Sequence, residues 1–419
     1  MKYLFCIARQ YSVPIIKPLV AFLEKTNHEF AFFLSERVQK NLPQEWSLYR
    51  ICCSIQQTIE YQPDFVIVPG NFVDFRIPGI KVQIFHGLGV EKQSHYKIRH
   101  FFDVYLTSGP FVTEKFVTLQ RKHKYFLVSE TGWPKVDYIL QYPITNLKQR
   151  MNIPSDKKVI LYAPTFSKEM QSATKLLPII PKIMREDEIW LFKFHELMDA
   201  KVVESFKRNK LENMLFIDSH DITPYLHVSD VMISDTSSVI YEFMVIDKPV
   251  ITFNTQSRID KGINITNPDD TREALDRSLK NPAEFQENRE QHLREINPYL
   301  DGRISERVFT TLSEIKTNDK LPKRNKPFIL LMCSTTVIGF KNVLRRANVL
   351  KWPDSCTQKV IESDDPGAVI VAGAVRLDSG SSHGRAGQVV LQLKSPYKDG
   401  TSHVVMEPLE FMERLAAAV

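Results

Sequence analysis

Cysteine is sparse and unpatterned in this chain. Cys6, Cys52, Cys53, Cys333 and Cys356 are odd in number and lack any CxxC spacing, which argues against a disulfide framework or a zinc site and for a reducing compartment. No stretch approaches the roughly 18 consecutive apolar residues of a spanning helix. The opening residues, MKYLFCIARQ, hold too short an apolar run for a secretory signal and no small-residue cleavage site. There is no Walker loop, no G-x-G-x-x-G fingerprint, and no His, Cys and Asp cluster at metal-ligand spacing. The expectation is a cytoplasmic protein, at most peripheral on the inner face of the membrane, with neither cofactor nor metal.

What is present is an ordinary globular composition, 43% hydrophobic and 25% charged over 419 residues, enough for two or three domains. The net charge of +6 and the pI near 8.8 fit an anionic substrate, nucleic acid or a membrane surface, and select none of them.

Short apolar runs alternate with helical spacing, the signature of a parallel α/β sheet. Strands are expected at Tyr3–Ala8, Phe30–Leu34, Leu48–Cys53, Phe65–Val68, Val82–Phe85 and Val104–Thr107. The pattern restarts near Gly132-Trp133-Pro134, with strands at Val159–Ala163, Ile189–Phe194, Met214–Ile217, Val231–Ser234 and Pro249–Phe253. Helices are expected at Pro14–Leu23, Ala173–Met184 and Ala200–Arg208, and closing helices at Arg272–Leu279, Ala283–Ile296 and Ser305–Ile315. The layout predicts two Rossmann-like domains, 1–140 and 141–317, facing each other across a cleft. The segment Tyr96–Phe126 mixes aromatics with cations and reads as a basic, partly amphipathic surface that suits either solvent or an anionic membrane.

The centre of the second half is Val231–Phe253, a strand–turn–helix–strand unit. Its turn, Asp235-Thr236-Ser237-Ser238, stands at the carboxyl end of a strand and the amino end of a helix, where N–H groups and hydroxyls suit phosphate oxygens. The same residues serve equally as ordinary helix caps. Glu242, one turn on, is placed to reach a ribose or sugar-like hydroxyl, or simply lies on an exposed helix face. His86 ends a strand and is followed by Gly87-Leu88-Gly89, which admits a ligand close to the backbone. It is a candidate base or phosphate contact, or a strand cap. His195, with Lys193, holds the corresponding place in the second half. Gly132, Lys135 and Asp137 lie at the junction of the halves and read as a hinge or an ordinary turn.

Near residue 318 the character changes. The stretch 318–332 is a basic, Pro-punctuated linker, and seven of the fifteen glycines fall after Cys333. The tail, 333–419, is expected to stand outside the α/β core, poorly ordered or foreign to it.

Six elements, taken in order over about 60–315, resemble the CDP-glycerol glycerophosphotransferases, the teichoic-acid primases and polymerases. They are Phe85-His86-Gly87-Leu88-Gly89, Phe102–Ser108, Gly132-x-Pro134-Lys135-x-Asp137, Tyr162-Ala163-Pro164-Thr165-Phe166, Phe194-His195 and Ser234–Phe243. The resemblance implies a GT-B fold and transfer of glycerol phosphate from CDP-glycerol to a hydroxyl of a cell-surface polysaccharide or lipid-linked acceptor, with release of CMP. It implies His86 as the base, with His195, Ser237 and Ser238 on the pyrophosphate and Glu242 near the cytidine ribose or the glycerol. The donor-binding set is completed by Lys193, Asp235, Thr236, Pro164 and Thr165, with His86 and His195 as the catalytic pair.

Departures from the family pattern are Lys135 for Arg, Glu242 for Asp, Thr236 for Tyr and Phe194 for Pro. They leave ribitol or another alcohol open, as well as a nucleotide-sugar donor or an inactive nucleotide-binding relative. The length favours a one-step or capsule-type transferase over a processive polymerase. No nucleic acid partner is expected, and the sequence leaves the oligomeric state open. Separately, residues 386–419 resemble a fragment of insertion-sequence transposases, without a catalytic motif.

Overall fold

Seven short strands form the first sheet: β1 (Lys2–Ile7), β2 (Glu29–Leu34), β3 (Ile51–Cys52), β4 (Phe65–Val68), β5 (Ile80–Gln83), β6 (Val104–Thr107) and β7 (Leu127–Glu130). Six more form the second: β8 (Lys158–Tyr162), β9 (Glu188–Phe192), β10 (Met214–Phe216), β11 (Val231–Ser234), β12 (Val250–Phe253) and β13 (Ile263–Ile265). The computed structural model describes residues 1–99, 101–167, 169–322, 389–392 and 403–406.

All pairings within both sheets are parallel. That is why β4, β6 and β11 read as unbroken apolar runs: helices cover both faces of a parallel sheet, so every position along them is buried. The strand orders are β3-β2-β1-β4-β5-β6-β7 and β10-β9-β8-β11-β12-β13. Each order reverses once, at β1/β4 and at β8/β11, and open α/β sheets hold ligands beyond the strand ends at such points. Both sheets belong to one compact unit, residues 1–70, 76–98 and 102–322.

Several elements differ from the sequence reading. β5 stops at Gln83, because Phe85 takes a left-handed conformation at φ 59° that no strand accommodates. The expected helix at 173–184 is two single turns, Ala173–Leu176 and Ile180–Ile183, since Pro178 and Pro181 each lack the N–H that would continue it. The basic stretch contains the regular helix Pro110–His123. β7 and β13 carried too few apolar residues to stand out.

The last core helix, Ile304–Thr317, was expected with the second domain but packs on the first sheet. Its apolar stripe buries Ile304, Val308, Leu312 and Ile315. Phe309 stacks on Phe22 at 5.3 Å and meets Tyr3 edge-on at 4.9 Å, while Lys316 pairs with Asp64. The stripe needed an apolar partner, and the helix Val13–Lys25 supplies one. The chain therefore crosses between the halves twice.

In a second unit, Phe72 and Phe101 meet edge to face at 4.9 Å, and Val389–Gln392 pairs antiparallel with His403–Met406. The linker beyond residue 322 and the remaining tail, with Cys333, Cys356 and most of the transposase-like stretch, lie outside the described residues.

Candidate active site

The turn after β11 is built on Asp235. Its carboxylate is fully buried, and its oxygens accept the N–H of Thr165 at 2.8 Å and both the N–H and the hydroxyl of Ser172 at 2.8 and 2.9 Å. Burial raises its pKa, with these donors acting the other way. Asp235 is thus a brace that ties the ends of β8 and β11 together across the switch point. The sequence reading put Asp235 in the donor set; here its carboxylate oxygens accept from two backbone N–H groups and the Ser172 hydroxyl. Pro164 and Thr165, buried beside it, form the floor of the turn, while Thr236, Ser237 and Ser238 remain partly exposed. The helix that follows, Val239–Met244, has only six residues, so its dipole is weaker than the sequence suggested.

Charge at this place comes from side chains. His195 follows β9, with Phe166 lying 4.3 Å from it, ring centre to ring centre. Its Nδ1 accepts the Leu197 N–H at 3.1 Å, which puts the proton on Nε2 and leaves that atom a donor. The residue is exposed at its surface, yet crowding of the ring, aided by Lys92, Lys193 and His86 and opposed by Glu196, pushes its pKa down to about 4. At neutral pH it is an uncharged N–H donor. Burial also lowers the ammonium groups of Lys92 and Lys193 below the ordinary lysine value. Lys92 lies over Phe166 at 5.9 Å and feels Asp235.

The first half contributes the loop after β5. His86 is exposed, with Tyr11 from the end of β1 beside it at 5.9 Å. A side chain at Gly87 would bring its Cβ to 3.3 Å from Ser238 Oγ, so the two halves approach closely here. The structure therefore brings His86, Lys92, Lys193, His195 and Ser238 to one place. Sequence reasoning missed Tyr11, Lys92 and Phe166 as site residues. Lys92 was visible only as one cation in a basic stretch, and Tyr11 gave no signal before the topology put β1 beside β4.

The junction is braced. Gly132 has φ 90°, and a Cβ there would meet Ile304 Cγ1 at 2.8 Å. The Trp133 N–H donates to Asn297 Oδ1 at 2.8 Å and its indole to the Phe85 carbonyl at 3.2 Å. Asp137 caps the helix Ile304–Thr317, accepting from the N–H groups of Ile304 and Ser305 and the Ser305 hydroxyl. Lys135 donates to Glu242 at 2.6 Å with both side chains buried. Gly132, Lys135 and Asp137, expected at a hinge, lie in a packed crossing, and Glu242, expected near a ribose, is the partner of Lys135.

A pocket of about 300 Å³ adjoins the site at the ends of β9 and β10, lined by Lys193, His195, Met198, Lys207, Phe216 and His220. At its rim Glu196 pairs with His220 at 2.8 Å and with Arg37 of the first half at 3.4 Å. Among the described residues, no three His, Cys, Asp or Glu side chains are grouped to hold a metal, and no helix is long and apolar enough to cross a membrane.

The family model for CDP-Glycerol:Poly(glycerophosphate) glycerophosphotransferase matches residues 82–314, more than half of the 419, and includes every element just described around the cleft except Tyr11 and Arg37. The chain belongs to this family. Among its relatives is the teichoic acid poly(glycerol phosphate) polymerase of Bacillus subtilis (strain 168), 28% identical over 39% of this chain and 23% of that one. Another is the teichoic acid poly(ribitol-phosphate) polymerase of Bacillus spizizenii, 28% identical over 54% of this chain and 40% of that one. The chain thus spans less than half the length of these curated relatives. The structure of the wall teichoic acid polymerase TagF superposes with a TM-score of 0.56 at 17% identity, covering 76% of this chain and 90% of that one. The fold is GT-B-like.

Proposed function

We propose that this family member transfers glycerol phosphate, or a closely related alditol phosphate, from a CDP-linked donor to a hydroxyl of a cell-wall polysaccharide or lipid-linked acceptor, releasing CMP. One observation carries the reading. An exposed imidazole from one half, His86, faces a set of N–H and ammonium donors, Lys92, Lys193 and His195, across the Gly87–Ser238 approach.

In this reading the acceptor oxygen attacks the phosphorus that bears glycerol, and His86 takes its proton. The bond from that phosphorus to the bridging oxygen breaks, and the oxygen leaves with CMP. His195 Nε2–H and the two lysines meet the charge that grows on the leaving phosphate, as donors already fixed in place for it. The neighbouring 300 Å³ pocket, at the lower end of the roughly 300–1,000 Å³ of ligand sites, suits the nucleoside. Exposed Arg121, Lys122 and Lys124, at the end of the helix Pro110–His123, support contact with an anionic membrane face.

The test is CMP release from CDP-glycerol and CDP-ribitol, assayed in parallel with wall polymer as acceptor, for wild type and His86→Ala. CMP release that is lost in the variant supports the reading, and the better donor names the alcohol. Release of a nucleoside diphosphate from a nucleotide sugar instead would overturn it.

A further inference from the structure

The helix Val239–Met244, with its cap Ser238, meets the first half along one face. Ser238, Tyr241 and Glu242 are spaced i, i+3, i+4, so they lie together on a helix surface. Each has a partner from the other half: Gly87 beneath Ser238, Glu91 on Tyr241 and Lys135 on Glu242. Two of these partners, Gly87 and Glu91, belong to the loop that carries His86 and Lys92.

Glu91 is the acidic anchor of that loop on the second half. The Tyr241 hydroxyl donates to Glu91 Oε1, which also faces Lys261 Nζ at 3.5 Å and Arg258 Nη1 at 3.9 Å. The cluster is dry: the Lys261 side chain is 3% exposed and that of Glu91 14%. Leu88 and Val90, both buried, hold the same loop from below. Gly89–Lys92 is a hydrogen-bonded turn, the Lys92 N–H donating to the Gly89 carbonyl at 3.1 Å, so holding Glu91 on Tyr241 fixes the turn that presents Lys92 over Phe166.

We propose that Glu91 is a positioning residue, which locks the loop of His86 and Lys92 onto the donor-side helix and so sets the distance between base and leaving group. The proposal rests on the transferase reading for its catalytic part and on geometry alone for the lock. A displacement of about 1 Å from a productive arrangement costs roughly 100-fold in rate, and Glu91→Ala is expected to lower kcat by about that factor. Donor affinity, measured by calorimetry with CDP-glycerol, should fall much less than kcat, because of the phosphate-facing groups only Lys92 is displaced while Lys193, His195, Ser237 and Ser238 are untouched.

Removing Glu91 strands the buried Lys261, so the double variant Glu91→Ala/Lys261→Met is made alongside, and Glu91→Asp tests rescue. Hydrogen–deuterium exchange reads the lock without any assay of activity. Faster exchange over 86–92 in both alanine-bearing variants, with 235–238 unchanged, supports it, and the aspartate should restore part of both protection and kcat. Unchanged exchange over 86–92 overturns the lock. Faster exchange with wild-type kcat overturns its catalytic part. Faster exchange in a protein whose wild type never releases CMP upholds the lock and sinks the transferase reading instead.

Discussion

Lys135 Nζ stands 2.6 Å from Glu242 Oε2, with the two side chains only 7% and 8% exposed and 107 positions apart in the chain. Both are positions where the sequence reading noted a departure from the pattern it resembles, Lys for Arg and Glu for Asp. An Arg reaches about one atom farther than a Lys and an Asp is one methylene shorter than a Glu, so the two exchanges keep the span of a single buried pair.

Breaking that pair leaves a buried charge without its partner, which costs on the order of 3–5 kcal/mol. Lys135→Ala should therefore lower the urea midpoint strongly. Lys135→Arg and Glu242→Asp should each lose stability alone, and together they should recover most of it. A double variant no better than the sum of the singles would show that the two sites are not coupled.

His195 gives the second prediction. Its folded pKa, near 4, lies below the ordinary value of 6.5, so between these values the unfolded chain binds more protons. The stability it contributes is complete above about pH 6.5 and is lost as pH falls toward 4. The His195 ring resonances should titrate near pH 4, and the acid limb of CMP release between pH 5 and 7 should not belong to this residue. A ring titration near 6.5 would show that the ring is hydrated and free to act as a base.

Asp235 is predicted to matter for order before affinity. Asp235→Ala would leave the N–H groups of Thr165 and Ser172 unpaired, at roughly 1–3 kcal/mol for each group left buried. Urea denaturation should show the loss, and exchange should rise over 164–172. A fully stable variant with weakened CDP-glycerol binding would instead make Asp235 a ligand contact.

For the membrane surface, charge reversal at Arg121, Lys122 and Lys124 should release the protein from anionic vesicles while CMP release in solution stays unchanged. Each such cation near an anionic surface is worth about 1 kcal/mol, so the triple reversal should abolish co-sedimentation at moderate salt. Binding that survives it would place the contact elsewhere.

The alternation of apolar runs and helical spacing was enough to predict two parallel sheets, because strands buried on both faces have to be apolar throughout. It also marked His86, His195 and the Asp235–Ser238 turn, because ligand groups in such sheets sit where the strands end. Pattern reading could not see which donors each carboxylate would find. Asp235 and Asp137 were both plausible at a ligand or a hinge, and became braces only once Ser172 and Ser305, far away in sequence, were folded against them. Tyr11 and Lys92 joined the site because the sheet order put β1 beside β4 and the cleft put Lys92 over Phe166. The sequence by itself determined most of the strands, the turns that end them and the histidines, which depend on local spacing. Only the tertiary structure decided the return of the last helix to the first sheet and the pairing of Lys135 with Glu242, since both depend on the partner an apolar stripe or a buried charge meets after the chain has crossed over.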